Sequence, residues 1–144
     1  MGAVKCNDPL VAETRTFDVR TTTRTELIDI TSLVRNAVRA SGIDGGIACV
    51  FCPHTTAGLT IQENTNPSVR RDLLAQLDKL VPRDGGYEHS EDNEDAHIKS
   101  SLIGASLTLV VDGGRPQLGS WQAIYFCEFD GPRNRRVVVK VVAG

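Results

Sequence analysis

The segment Trp121–Phe129 constrains the fold more than any other stretch of this 144-residue chain. In an extended strand, successive side chains point to opposite faces. Trp121, Ala123, Tyr125, Cys127 and Phe129 then share one face, and Gln122, Ile124, Phe126 and Glu128 share the other. Both faces are mostly apolar, so the strand belongs in the middle of a sheet that is covered on both sides. Glu128 is the exception. A carboxylate at that position is buried or lies in a cleft, and it needs a charged or metal-bound partner unless its pKa rises. It reads as a general base or a group that orients a histidine, and equally as one half of a structural ion pair with an arginine.

The remaining pattern supplies strands in hairpin-like pairs. The range 11–22 is rich in Thr and Val, and Glu26–Ile30 reads as its returning strand. Thr31 is the expected N-cap of a helix carrying Leu33, Val34, Ala37 and Val38, with Gly42 as its C-cap. Ile47–Phe51 and Gly58–Ile61 are strands on either side of Pro53-His54-Thr55-Thr56. Asn66-Pro67 opens the clearest helix, with Asn as cap and Pro at the first helical position, and Pro82 stops it. A polar stretch leads to a short helix over Ala96–Leu102, and strands follow at Ser106–Val111, 118–129 and Val137–Val142. About seven or eight strands and about three helices in this order make an α+β fold, mainly antiparallel and in a single domain. Residues 1–10 are expected to be a flexible lead-in.

Composition narrows the function classes. Sixteen Lys+Arg against 18 Asp+Glu leave a formal net charge of −2, which provides no global field for nucleic acid or an anionic membrane. No apolar run reaches the roughly 18 residues of a membrane span, and no secretory h-region is visible. The expectation is a cytoplasmic protein with neither nucleic-acid nor membrane partners. The four cysteines, Cys6, Cys49, Cys52 and Cys127, are therefore expected to be reduced. Cys49 and Cys52 form a C-x-x-C on a strand, where they lie on opposite faces about 10 Å apart, too far to bridge. They read as two small buried hydrophobes. Neither phosphate-cradling glycine motif, G-x-x-x-x-G-K-[ST] or G-x-G-x-x-G, occurs.

Only three histidines occur, His54, His89 and His97. The last two flank Ser90-Glu91-Asp92-Asn93-Glu94-Asp95-Ala96, a segment dense with carboxylates. Three neutral imidazoles with an open position suit a catalytic divalent metal, and nearby carboxylates would orient the rings. The spacing matches no standard metal motif, and exposed histidines in a solvated acidic loop fit it as well. Arg70, Arg71, Lys99 and the group Arg133, Arg135 and Arg136 are candidate phosphate donors. A turn-held Arg133 matches phosphate oxygens bidentately, although a solvated basic turn has the same sequence.

Three stretches carry a resemblance. They are His54-Thr55-Thr56-Ala57-Gly58-Leu59-Thr60-Ile61-Gln62-Glu63, followed by Asn64 and Pro67; Ala96-His97-Ile98-Lys99-Ser100-Ser101-Leu102; and the run from Leu118-Gly119-Ser120 through Trp121 to Arg133. Collinear from Arg15 to Lys140, they closely resemble the secondary thiamine-phosphate synthase family, the YjbQ-like proteins. The resemblance implies a sandwich-like antiparallel sheet, a homotrimer, and a site near the subunit interface with His54, His89 and His97 as metal ligands. Glu91, Asn93 and Asp95 match the family's acidic loop, whereas Asp92 stands where Gly is common. Gln62, Ser120 and Ala123 stand where Asn, Thr and Gly are common.

The implied activity joins a pyrimidine methyl diphosphate to a thiazole phosphate and releases diphosphate. Such a reaction needs cations on the leaving group and a pocket that accepts an aromatic ring. Glu128, Glu91 and Lys99 are the expected catalytic groups. Arg133, Arg70, Thr55, Thr56, Asn64, Trp121 and Gln122 are the expected contacts to a small phosphorylated metabolite. Three-histidine ligation implies a zinc-like ion, with magnesium as the alternative that suits a diphosphate. Two other expectations stand beside this one: a metal-dependent hydrolase of a small phosphorylated or amide metabolite, and a trimer that binds metal or metabolite without catalysis.

Overall fold

The computed structural model describes residues 13–144. The flexible lead-in expected for 1–10, Cys6, and the start of the strand expected at 11 lie outside the described residues.

The two-faced strand is β7 (Gln122–Glu128), and it is the middle strand of a three-stranded sheet between β2 (Glu26–Asp29) and β4 (Ala57–Glu63). A five-stranded sheet runs in the order β1 (Thr14–Arg20), β8 (Asn134–Ala143), β3 (Gly46–Phe51), β5 (Ser106–Asp112) and β6 (Arg115–Pro116). Every pairing is antiparallel. Ile124 and Phe126 of β7 share one core with Ala48 and Val50 of β3, Val137, Val139 and Val141 of β8, and Val34 and Val38 of α1 (Thr31–Ser41). The opposite face of β7 places Cys127 and Phe129 against Leu77 of α2 (Pro67–Leu80) and Ala96 of α3 (Glu94–Ile103). Both apolar faces of the strand are thus covered, one by the second sheet and one by helices.

Local chemistry sets the helix boundaries. Asn66 caps α2 by accepting the Ser68 amide at 3.0 Å, and Pro67 occupies the first turn. Gly42 ends α1 in the left-handed conformation, φ 68°. Thr31, expected as the cap of α1, is instead its first residue. Its amide donates to Asp29 Oδ1 at 2.9 Å, and its hydroxyl accepts the Ile124 amide at 2.9 Å. That bond fastens the helix to β7 just where the β2–β7 pairing ends at Asp29 and Tyr125. Helix α3 begins at Glu94, earlier than expected, because Glu94 and Asp95 place negative charge on its first turn.

Two further details bear on the site. Cys52 is buried but Cys49 is exposed, so only one of the pair serves as a core hydrophobe; both thiols are free. Gly58 lets the end of α3 lie directly on β4: the Leu59 amide donates to the Gly104 carbonyl at 3.1 Å. A Cβ on Gly58 would sit 2.8 Å from that carbonyl oxygen and 3.1 Å from the Ile103 side chain. Among the described residues, no helix is long and apolar enough to cross a membrane. Gly58→Ala is expected to cost about 1–3 kcal/mol through overpacking. It should lower the urea midpoint with little change in slope, and an unchanged midpoint would contradict the close approach.

Candidate metal and phosphate site

The acidic loop enters α3 through Asp92 and Asn93. Asp92 has φ 60°, the left-handed region that favours glycine, which is the residue the family resemblance led one to expect there. The Asn93 carbonyl accepts the Ala96 and His97 amides at 3.0 and 3.3 Å, and its side-chain amide donates to Asp130 at 2.9 Å. The Asn93 Oδ1 atom is buried without a partner. Arg133 donates to the same Asp130 carboxylate at 3.0 Å and to the Asp130 carbonyl at 2.8 Å. One guanidinium of the basic turn is therefore held two hydrogen bonds from the start of the helix that carries His97.

The first turn of α3 is clamped from below. Arg24 donates through both terminal nitrogens to Asp95, at 3.2 and 3.1 Å. Lys99 donates to Asp95 at 3.3 Å and to Asp78 at 2.6 Å. Burial pushes the Asp95 carboxyl up, but the hydrogen bonds from Arg24 and Lys99 outweigh it and hold the group below the usual carboxylate range. The Lys99 side chain is only 1% exposed, and its ammonium is committed to two carboxylates. It is a structural cation in this chain, and its charge is not free to meet a leaving group.

On the accessible side of α3, His89, Glu94 and His97 converge. His89 Nδ1 lies 3.3 Å from the Glu94 carboxylate, and the two imidazole rings meet edge to face with centroids 5.4 Å apart. One ligand atom from each of the three residues lies within 4.8 Å of the others. Around a tetrahedral zinc such atoms are about 3.3 Å apart, so small side-chain rotations would close the set. Two imidazole nitrogens and a carboxylate oxygen leave a fourth position open, the donor set of a catalytic zinc site. Glu91 is exposed, 3.8 Å from His89 Nε2. Sequence reasoning missed Glu94. The available signal was its i, i+3 spacing from His97, which puts both on one helical face.

His54 does not join this cluster. Its Nε2 accepts the Arg136 amide at 2.9 Å, and its ring stands edge-on to Phe126. Burial, then the nearby charge of Arg135, push its pKa down, so the ring is held neutral. The expected three-histidine set is therefore not formed within one chain, because His54 belongs to the β3–β4 connection, where it is pinned to β8. Glu128 is fully buried. It accepts from Arg135 Nε at 2.9 and 3.1 Å and from Arg135 Nη2, from the Thr21 hydroxyl at 2.7 Å, and from the Phe129 amide at 3.1 Å. This is the structural ion pair, and the general-base reading fails because both oxygens are saturated and shielded. Arg135 also donates to the Thr56 hydroxyl at 2.8 Å, so buried Thr56 serves the same pair while Thr55 remains exposed. Burial pushes the Cys127 thiol up to about 12, which makes it inert as a nucleophile.

The other expected contacts lie elsewhere. Arg70 donates to the Tyr125 hydroxyl at 2.9 Å and stacks over its ring at 5.6 Å, in a small cleft with Asn64 and Asp29. The Asn64 amide donates to the Trp121 carbonyl at 3.0 Å, Trp121 is 62% exposed, and Gln122 Oε1 accepts the Gly119 amide. In the β4–β7 register Ala57 faces Glu128, whereas Glu63 faces Gln122. Six residues of strand span about 20 Å. Arg70, Asn64, Trp121 and Gln122 thus occupy one end of this strand pair, and Thr55, Thr56 and Glu128 the other.

Residues 15–144 match the family described as UPF0047 protein YjbQ-like. The chain belongs to the YjbQ-like UPF0047 family. A UPF0047 protein of Methanocaldococcus jannaschii is 48% identical over 126 residues, 88% of this chain and 91% of the relative. The UPF0047 protein YugU of Bacillus subtilis is 47% identical over 129 residues, 89% of this chain and 98% of the relative. A YjbQ/UPF0047-family crystal structure from Clostridium acetobutylicum, 52% identical, superposes with a TM-score of 0.87 over 89% of this chain and 99% of that one. A YbjQ-like protein of Sulfolobus solfataricus, 29% identical, gives 0.89 over 93% of this chain and 99% of that one. The α+β fold, its antiparallel sheets and its three helices are thus those of the family; the names of these relatives state no activity, cofactor or assembly.

Glu128→Ala leaves the Arg135 guanidinium buried without its counter-charge and is expected to destabilise by about 3–5 kcal/mol, read as a drop in the urea midpoint. A loss below about 1 kcal/mol would contradict the structural role. The depressed pKa of His54 means that the unfolded chain binds this proton more readily than the folded one. Its contribution to stability is full above pH about 6.5 and falls away as pH drops toward the lower folded value. Urea midpoints between pH 8 and 5 should fall less steeply for His54→Ala than for the wild type, whereas parallel curves would contradict a neutral, pinned His54.

Proposed function

We propose that the chain is a divalent-metal-binding transferase acting on small phosphorylated metabolites, with thiamine-phosphate synthase-like chemistry. The observation that carries this reading is the convergence of His89, Glu94 and His97 at the helix whose start is linked through Asn93 and Asp130 to Arg133. In the reaction, the thiazole ring nitrogen forms a bond to the exocyclic methylene of the pyrimidine. The carbon–oxygen bond to diphosphate breaks, and diphosphate leaves with the electron pair. A bound zinc-like or magnesium ion would supply positive charge for those phosphate oxygens.

This chain's residues supply the rest. Arg133 keeps part of its guanidinium exposed, and its hold on Asp130 fixes the direction from which it meets a phosphate. Asp95, Arg24 and Lys99 position the helix. Glu91, exposed beside His89, orients that ring, and in a hydrolytic reaction it is placed to take the proton of an attacking water. Arg70, Asn64 and exposed Trp121 suit the second phosphate and a stacked ring, but they sit at the far end of the β4–β7 pair. A homotrimer, the assembly that the family resemblance implies, would join one chain's end to its neighbour's. The outer face of the five-stranded sheet offers a surface for it, with Ile47, Phe51, Val110 and Val142 about half exposed or more and Ile47 in register with both valines. Free thiols at Cys49, Cys52 and Cys127 support a reducing, cytoplasmic setting.

The open metal position also favours a second reading, hydrolysis of a small phosphate ester by an activated water. Turnover of single phosphorylated substrates without a second co-substrate distinguishes it. The test of the main reading combines product and metal content. Purified protein given both precursors should form thiamine phosphate and carry one metal per chain. His97→Ala should lower both at least about tenfold, the scale on which disturbed metal sites lose affinity. Unchanged product and unchanged metal content in that variant would overturn the site. In sedimentation, the native mass is expected at three times the 15.6 kDa chain, and a monomer would overturn the proposed assembly.

A further inference from the structure

Helix α1 and the β5–β6 turn enclose a groove of about 620 Å³ that has no residue in common with the histidine cluster or with the Arg70 cleft. Three arginines line it, Arg35, Arg39 and Arg115, against a single acid, Asp44. Arg35 and Arg39 are four residues apart on α1 and therefore share one helical face. Elsewhere in the molecule, Arg15, Arg24, Arg83, Arg133 and Arg135 each contact a carboxylate, whereas Arg20, Arg70, Arg71 and Arg136 contact none among the described residues but share no concavity with an arginine of the groove. Among the described residues, the guanidiniums of Arg35, Arg39 and Arg115 contact none. Like charges at this spacing repel, and Arg39 alone gains from the negative end of the helix dipole. Three exposed guanidiniums against the one acid Asp44 leave this concavity net positive among the described residues, which favours an anionic ligand.

The groove is also preorganised. Gly113 and Gly114 both have positive φ, 61° and 71°, which makes the tight hairpin turn that sets Arg115 opposite Asp112. The Gly114 amide donates to the Asp44 carbonyl at 2.9 Å, tying this turn to the segment that follows α1. Val38 and Ile43 are buried beneath the groove and fasten α1 and the segment after it to the core. The volume lies in the range of small-molecule sites, and guanidinium forks match phosphate oxygens two at a time.

We infer that this groove is a second ligand site, separate from the metal cluster, which takes a small metabolite bearing a diphosphate or two neighbouring phosphates. The phosphates are held by Arg35, Arg39 and Arg115, and the rest of the metabolite lies between α1 and the β5–β6 turn. The inference stands whether or not the metal cluster performs the chemistry proposed for it.

Calorimetric titration of the full, chelator-treated chain with inorganic diphosphate at low salt tests it. Saturable binding at one site per chain is expected, weakened at least about tenfold by Arg115→Ala and more by Arg35→Ala combined with Arg39→Ala. Raising the salt should weaken it further. The three side chains are exposed and contact no carboxylate among the described residues, so thermal melts of these variants should overlay the wild type and exclude misfolding. Lys79→Ala, at an exposed lysine of α2, should bind diphosphate as the wild type does. Absence of saturable binding to the wild type, equal affinity in the groove variants, or loss of binding in Lys79→Ala would each overturn the site.

Discussion

The ion pair between Glu128 and Arg135 joins the two sheets, because Glu128 ends β7 and Arg135 lies near the start of β8. Withdrawing two charges from water costs several kcal/mol per ion, and the pair is tolerable only when every remaining hydrogen-bonding position is filled. Here the filling comes from chain neighbours of other strands: the Thr21 hydroxyl just after β1, and the Thr56 hydroxyl and carbonyl just before β4. The pair therefore fixes the ends of four strands around one point. His54, two residues before Thr56, is placed by the same junction, which explains why it is turned toward Arg136 and away from the other histidines.

Because this carboxylate is consumed by the fold, the accessible chemistry falls to α3. Little apolar surface holds that helix in place. Its inner side carries the Asp95–Lys99 pair, bound to Arg24 of the β1–β2 connection and to Asp78 of α2, and its end lies against the Gly58 backbone. These contacts orient the opposite side, with Glu94 and His97, toward His89. Asn93, Asp130 and Arg133 then couple the start of the helix to the basic turn before β8. One polar framework thus holds the His89, Glu94 and His97 cluster and ties it to Arg133, while the sheets supply its footing.

Much of the fold was legible because it rests on local pattern. The two-faced alternation of Trp121–Phe129 predicted a central strand, and β7 is one. Asn66-Pro67 and Gly42 marked helix ends through steric rules that act within a few residues. At Asp92, where the resembled family commonly has Gly, the backbone is left-handed, a conformation not expected from the sequence. What failed needed distances that a single segment does not contain. Thr31 looked like a cap, but Asp29 and Ile124 give it another role. Lys99 looked reactive although Asp95, four residues before it on the same helix, is one of its two counter-ions, the other being Asp78 of α2; for Glu128 the general base and the structural ion pair both stood open, and Arg135 on β8 decides for the pair. Ligand and substrate residues that appeared to form one set are divided by the β4–β7 register, which only the pairing determines.

The central claim is that His89, Glu94 and His97 form the metal site of each chain. X-ray absorption at the zinc edge of the zinc-loaded protein tests it most directly. The spectrum should require two imidazoles and one carboxylate oxygen, with first-shell distances of about 2.0–2.2 Å, and His54→Ala should leave it unchanged. A shell of three imidazoles that loses one in His54→Ala would contradict the account.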